Sequence, residues 1–170
     1  MAVIKNVELW WVKCNPERPS RYQNKGPAKN GLEIRIYDKK QKDTLAKEYG
    51  FKFNTDETDD GKVFYKTSLN RYTYRSLPNG GGEDIKNPNK PINCVASDLT
   101  KLDPDIIGNG SIGNVSFSVK DDKSSRTLKG IQVTKLKKFE RKDNDAFEME
   151  EGFEVIDSDG NVGDSTDDIY

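Results

Sequence analysis

The sequence has no histidine and only two cysteines, Cys14 and Cys94. Without histidine the commonest general base is missing, and so is every Ser-His or Cys-His nucleophile pair, which argues against an enzyme. Two cysteines build no disulfide framework, and a zinc site here would need carboxylate support. Both thiols are expected to be reduced, and no metal or other cofactor is expected. No apolar run approaches the ~20 residues of a membrane span, and the amino-terminal stretch lacks the apolar core of a secretion signal. An intracellular protein without membrane contact is the expectation. The patterns GxxxxGK[ST], HExxH, CxxC and GxSxG do not occur either. Hydrophobic residues are scarce as well, 32% of the 170 residues against 34% charged. So the core must be thin and the surface heavily solvated, as in a small barrel with long loops.

What the chain does have is charge segregated along its length. All 28 Lys and Arg precede residue 143, together with 18 of the 29 carboxylates, whereas residues 143–170 carry the other 11 and no cation. The body is therefore +10 and the tail −11, a division hidden by the formal net charge of −1. Such a body attracts polyanions, and such a tail either competes for the same surface or recruits partners. Two segments follow: a folded domain over 1–142 and a flexible acidic tail over 143–170. The tail has few strong apolar residues and no clear period, and is expected to be disordered. It ends Asp167-Asp168-Ile169-Tyr170, two carboxylates before an apolar pair.

Within the body, alternation over 3–12 predicts a strand with Val3, Val7, Leu9 and Trp11 on the core side and Glu8 and Trp10 on the other. Residues 13–31 read as a long basic loop, and Leu32-Ile34-Ile36 as a half-buried strand. Asp38 with Gln41 resembles a capping box, Asp43 and Lys47 are spaced for an ion pair, Leu45 and Tyr49 share a face, and Gly50 supplies a stop. These signals predict one short helix. Strands are predicted over 51–54 and 62–76, the second with a bulge at 68–70, and a flexible loop over 77–91. Strand pattern resumes at Ile92, and a hairpin is predicted over 114–136. Phe64, Phe117 and Phe139 are read as core. The sum is mainly β: an OB-like barrel with one short helix, long loops and a disordered acidic tail.

Aromatics and cations alternate in a way that suits unpaired nucleic acid, which needs charges for phosphates and ring faces for bases. Arg21-Tyr22 lies in the basic loop, Arg35 and Tyr37 on the outer face of a strand, and Tyr65-Lys66 and Arg71-Tyr72-Thr73-Tyr74-Arg75 on one long strand. With Trp10, these are the candidate contacts for single-stranded DNA. Two other readings stand beside this one. A structural or adaptor protein would use the charge segregation for assembly. A metal-dependent nuclease would need Asp56, Glu57, Asp59 and Asp60 to hold Mg²⁺, although consecutive carboxylates in a turn are more often solvated.

Several segments carry a family resemblance: Leu32-Glu33-Ile34-Arg35-Ile36, the Lys-rich helix, Gly50-Phe51-Lys52-Phe53, Ile107-Gly108-Asn109-Gly110-Ser111, and Leu128-Lys129-Gly130-Ile131-Gln132-Val133. Together these resemble the single-stranded DNA-binding proteins of tailed phages over residues 3–142, with IGNGS and LxGIQV the most specific parts. The resemblance implies an OB fold, sequence-independent binding to DNA exposed in replication and recombination, and action in the cytoplasm of an infected bacterial host. It also implies that Asp167, Asp168, Ile169 and Tyr170 recruit replication proteins such as a polymerase or helicase-primase. It leaves room for a homodimer. The helix falls earlier than in the usual five-stranded OB order.

Overall fold

The structure, a computed structural model, describes residues 1–139, 155–156 and 162–163. The chain divides into two compact units, Met1–Glu140 and Arg141–Tyr170. In the first unit the strands are β1 (Ala2–Lys13), β2 (Lys29–Ile36), β3 (Asn54–Glu57), β4 (Val63–Tyr72), β5 (Tyr74–Ser76), β6 (Glu83–Pro88), β7 (Asn93–Ala96), β8 (Ser111–Val119) and β9 (Arg126–Lys135), with helix α1 (Lys39–Tyr49) after β2. In the second unit, β10 (Val155–Ile156) and β11 (Val162–Gly163) pair antiparallel, which the residue pattern did not announce. The remainder of the acidic segment, including Asp167, Asp168, Ile169 and Tyr170, lies outside the described residues.

Pairing closes five strands of the first unit into a ring. β2 joins β1 and β4, β8 joins β1 and β9, all antiparallel, and β4 meets β9 in parallel at Asn70 and Thr127. The result is a mainly β, OB-like barrel, with β3 added to β4 and β7 added in parallel to β9. Inward residues of each strand fill the interior: Val7 and Leu9, Leu32, Ile34 and Ile36, Leu69, Val115 and Phe117, and, across a register shift at Lys129, Leu128 and Ile131, all buried.

α1 closes the barrel end where Ile36 pairs with Tyr65. Asp38 accepts the N-cap bond from the Lys40 amide at 2.9 Å, and Gly50 terminates the helix at φ 75°. Gln41 does not complete a capping box; its side-chain amide donates to the Lys5 carbonyl at 2.9 Å and ties the helix to β1. Asp43 pairs with Lys42, at 3.2 Å, and not with Lys47. The rings of Tyr49 and Phe51 sit edge-on to Phe117, at 5.1 and 5.2 Å between centroids. Near the other end Cys14 and Cys94 are buried and free. Hydrogen bonding to the Cys94 sulfur and burial push the Cys14 thiol well above its ordinary value.

Five further sequence expectations need correction. The strand expected over 51–54 is shifted: β3 is Asn54–Glu57, running into the segment read as an acidic turn. β1 is not one regular strand: its register shifts between Ile4 and Val7 and again between Trp10 and Lys13, with Asn6 at φ 56° and Trp11 at φ 51°. Each bulge resets the alternation, so the buried set is Ile4, Val7, Leu9 and Cys14, while Val3 and Trp11 face solvent. The β2–β4 ladder runs without a shift from Lys29↔Tyr72 to Ile36↔Tyr65, so no bulge occurs at 68–70. The chain turns instead at Thr73, buried, whose hydroxyl donates to Asn30 Oδ1 at 3.0 Å and whose amide donates to Ala28 at 2.9 Å. Residues 77–91 are not only loop, because β6 within them pairs with β5. Phe64 and Phe117 are buried as expected, but Phe139 is 55% exposed, because it lies past the end of β9.

Candidate nucleic-acid interface

The outer surface of β1, β2 and β4 is set by register. Trp10 stands opposite Glu33, Arg35 opposite Lys66, Gly31 opposite Asn70 and Lys29 opposite Tyr72, so these side chains share one face. Its two halves differ in chemistry. Toward the helix end, Arg35 is held between the rings of Trp10 (3.6 Å to the centroid) and Phe64 (4.7 Å) and pairs with Glu33 at 2.7 Å. The Trp10 indole donates to Glu8. Tyr37 packs on Phe64 and lies under Lys62, at 4.3 Å; burial, then a hydrogen bond to Glu8, raises its hydroxyl above the ordinary value. Lys66 pairs with Asp56 at 3.1 Å. The Glu57 amide and then Lys66 hold the Asp56 carboxyl below the usual range. This half is an internally satisfied polar-aromatic cluster.

Toward the opposite end the face opens into a groove of about 320 Å³ lined by Trp11, Lys13, Tyr22, Lys29, Gly31 and Asn70 among others. Trp11 is 58% exposed and Tyr22 78%. Tyr72, 54% exposed, continues the row, with the Lys29 ammonium 5.5 Å from its ring. Lys13 and Lys29 make no ion pair among the described residues. Gly31 keeps the floor low: a Cβ there would run into the Asn70 side chain and come within 2.6 Å of the Leu69 carbonyl. The groove thus offers three accessible ring faces and two uncompensated ammonium groups beside them.

The bulge that turns Trp11 outward is held by the loop after Ile107. Asn109 Oδ1 accepts the Trp11 amide at 2.8 Å, and the Gly110 amide donates to the Leu9 carbonyl at 3.0 Å. Asn114 Oδ1 does the same for the Asn6 amide at 3.1 Å. A positive φ in a bulky residue is costly and persists where surrounding structure enforces it, here through Asn109.

The structure separates the candidate contacts. Tyr22 and Tyr72 flank the groove, and Trp10, Arg35 and Lys66 belong to the same face but are engaged with Glu8, Glu33 and Asp56. Tyr37 sits at the edge of that cluster. Tyr65 follows the inward parity of Ile36 and lies under Lys42 of α1, at 5.1 Å, on the opposite side from Lys66. Arg21 binds Glu83 at 2.6 Å and the Gly26 carbonyl at 3.0 Å, which fastens the basic loop to β6. Arg71 and Tyr74 line a different cavity at the barrel end, and Arg75 is exposed on β5 opposite Asp84. Trp11, assigned to the core by period alone, and Lys13 and Lys29, seen only as part of a basic loop, are the residues sequence reasoning missed. Two adjacent tryptophans were the available signal, since a regular strand cannot put both rings on one side. In the acidic turn Asp60 accepts from the Thr58 hydroxyl. Among the described residues no cluster of three or more His, Cys, Asp or Glu could hold a metal ion.

No protein-family model matches the chain, and no curated protein matches it in sequence. Among solved structures it is similar to the single-stranded DNA-binding protein from bacteriophage Enc34 in complex with ssDNA, at 8% identity and a TM-score of 0.45, covering 78% of this chain and 85% of that one. The function of this chain is read from its own residues.

Proposed function

We propose that this protein binds single-stranded DNA without sequence preference, its bases stacked on Trp11, Tyr22 and Tyr72 and its phosphates on Lys13 and Lys29. The observation that carries this is the groove itself: exposed ring faces interleaved with unpaired ammonium groups. Ring faces are open to unpaired bases and closed to bases stacked inside a duplex, and every base has a face to offer, so single strands are favoured and sequence matters little. Amines follow phosphates irrespective of base. The inner cluster of Trp10, Arg35 and Glu33 acts as the rigid wall behind the groove.

The function extends to the tail. At −11 against +10, residues 143–170 compete with DNA for the basic face, and DNA binding frees Asp167, Asp168, Ile169 and Tyr170 to recruit a polymerase or helicase-primase. The setting is DNA replication and recombination in a phage-infected bacterial cytoplasm, and the protein acts by binding and not by turnover. A gel shift comparing an oligo-dT with a duplex of equal length, repeated at rising salt, tests the central claim. Single strands are expected to be bound more tightly, with a log-log salt slope of about −0.7 per neutralised phosphate. Equal affinity for duplex, or affinity indifferent to salt, would sink it.

A further inference from the structure

At the barrel end where β2 begins and β4 finishes, a second cavity of about 420 Å³ opens among Tyr74, Ile85, Pro88, Pro91, Ile92 and Arg71. Its volume lies in the ~300–1,000 Å³ range of small-ligand sites. Its walls are mostly apolar: a tyrosine ring, three prolines and two isoleucines. Its rim is cationic. Arg71 and Lys90 belong to the lining. Lys129 lies outside it, but the parallel pairing of Asn70 with Thr127 brings β9 alongside Arg71, and burial and then the charges of Arg71 and Lys90 lower the Lys129 ammonium below the usual value. None of these three cations has an ion-pair partner among the described residues. Glu17 is the carboxylate of the lining. Three like charges left close together beside an apolar slot are matched by a ligand with a planar apolar body and a phosphate.

The cavity and the groove share no lining residue but draw on adjacent rungs of one ladder, on its opposite faces. Gly31 and Asn70 form the groove floor, while their chain neighbours Asn30 and Arg71 point into the cavity from the same β2–β4 ladder. Exposed Tyr72 ends β4 and Tyr74, in the cavity lining, opens β5, with only the turn at Thr73 between them.

We infer that this cavity takes one unstacked nucleotide of the bound single strand, its base against Tyr74, Pro88 and Pro91 and its phosphate among Arg71, Lys90 and Lys129. The inference rests on the single-stranded DNA reading above. It makes the barrel end a holding point for a base turned out of the stacked row.

The test uses the full chain and the pair of substitutions Lys90→Gln and Lys129→Gln, titrated with oligo-dT at several salt concentrations while tryptophan quenching reports the groove. The double variant is expected to bind about tenfold more weakly at low salt, with a salt slope shallower by roughly 0.7 for each phosphate it no longer neutralises, and to keep the quenching at saturation. A parallel measurement needs no substitution. An oligonucleotide carrying 5-iododeoxyuridine, photocrosslinked to the unaltered protein, is expected to mark Tyr74 as well as the groove rings. Crosslinks confined to the groove, with an unchanged slope in the double variant, overturn the inference and leave the cavity to a protein partner. Absence of oligo-dT binding by the unaltered chain instead overturns the groove reading, and this inference with it.

Discussion

Trp11 concentrates the cost and the use of this surface in one residue. Its backbone lies at φ 51° and its ring is 58% exposed, so neither local conformation nor burial rewards it. Strain of this kind costs on the order of 1–3 kcal/mol and is kept where a side chain must be aimed. Trp11→Ala is therefore expected to leave the thermal transition within a few degrees of its original position and to weaken oligo-dT binding by about 1–3 kcal/mol, the range for one stacked base. A titration of the variant beside Trp10→Phe checks it, and an affinity unchanged by Trp11→Ala would remove that ring from the site. The period of two on either side of Trp11 was legible, but the interruption was not. Whether an extra residue is absorbed at a bulge depends on a partner 98 positions away, Asn109, that no local pattern reveals. Arg35 shows the reverse. Its position on the outer face was legible, yet its engagement by two rings and Glu33 was not, because that depends on β1 and β4 together.

At the level of elements, β1 works because two asparagines on other segments satisfy the amides its bulges release. Asn109→Ala is expected to cost about 0.5–1.5 kcal/mol of stability, measurable by urea unfolding, and to weaken DNA binding as the Trp11 bulge relaxes. Asn114→Ala removes the equivalent bond at Asn6, outside the groove lining, and is expected to lower stability similarly while leaving DNA affinity unchanged. Equal effects of the two on binding would separate the bulge from function. α1 was the most legible element, since Asp38 and Gly50 are local signals acting on the nearest turn. The turn at Thr73 was illegible for the opposite reason: a threonine inside an apparent strand becomes a corner only because Asn30 and Ala28 of a distant segment take its hydroxyl and amide.

At the scale of the whole molecule, the mainly β barrel followed from scarce apolar residues and short alternating runs, and the closed order of its strands from their pairing. The segregation of charge remains its most informative bulk property. Removal of residues 143–170 takes away 11 negative charges and no cation. The truncated protein is expected to bind oligo-dT more tightly than the full chain, most visibly at low salt where Coulomb forces reach farthest. Weaker or unchanged binding in a side-by-side titration refutes competition by the tail.

The ring itself is joined unequally. Four of its seams are ladders of several residues, whereas β4 and β9 meet at the one registered pair of Asn70 and Thr127. Bringing together two points so far apart in sequence carries an entropy cost that grows with the logarithm of the intervening length, and one step of ladder returns little against it. Cohesion at this join therefore comes from the apolar filling behind it, Leu69 and Leu128, more than from backbone pairing. The barrel is a hemmed sheet whose single stitch runs through Asn70, the same residue that floors the groove.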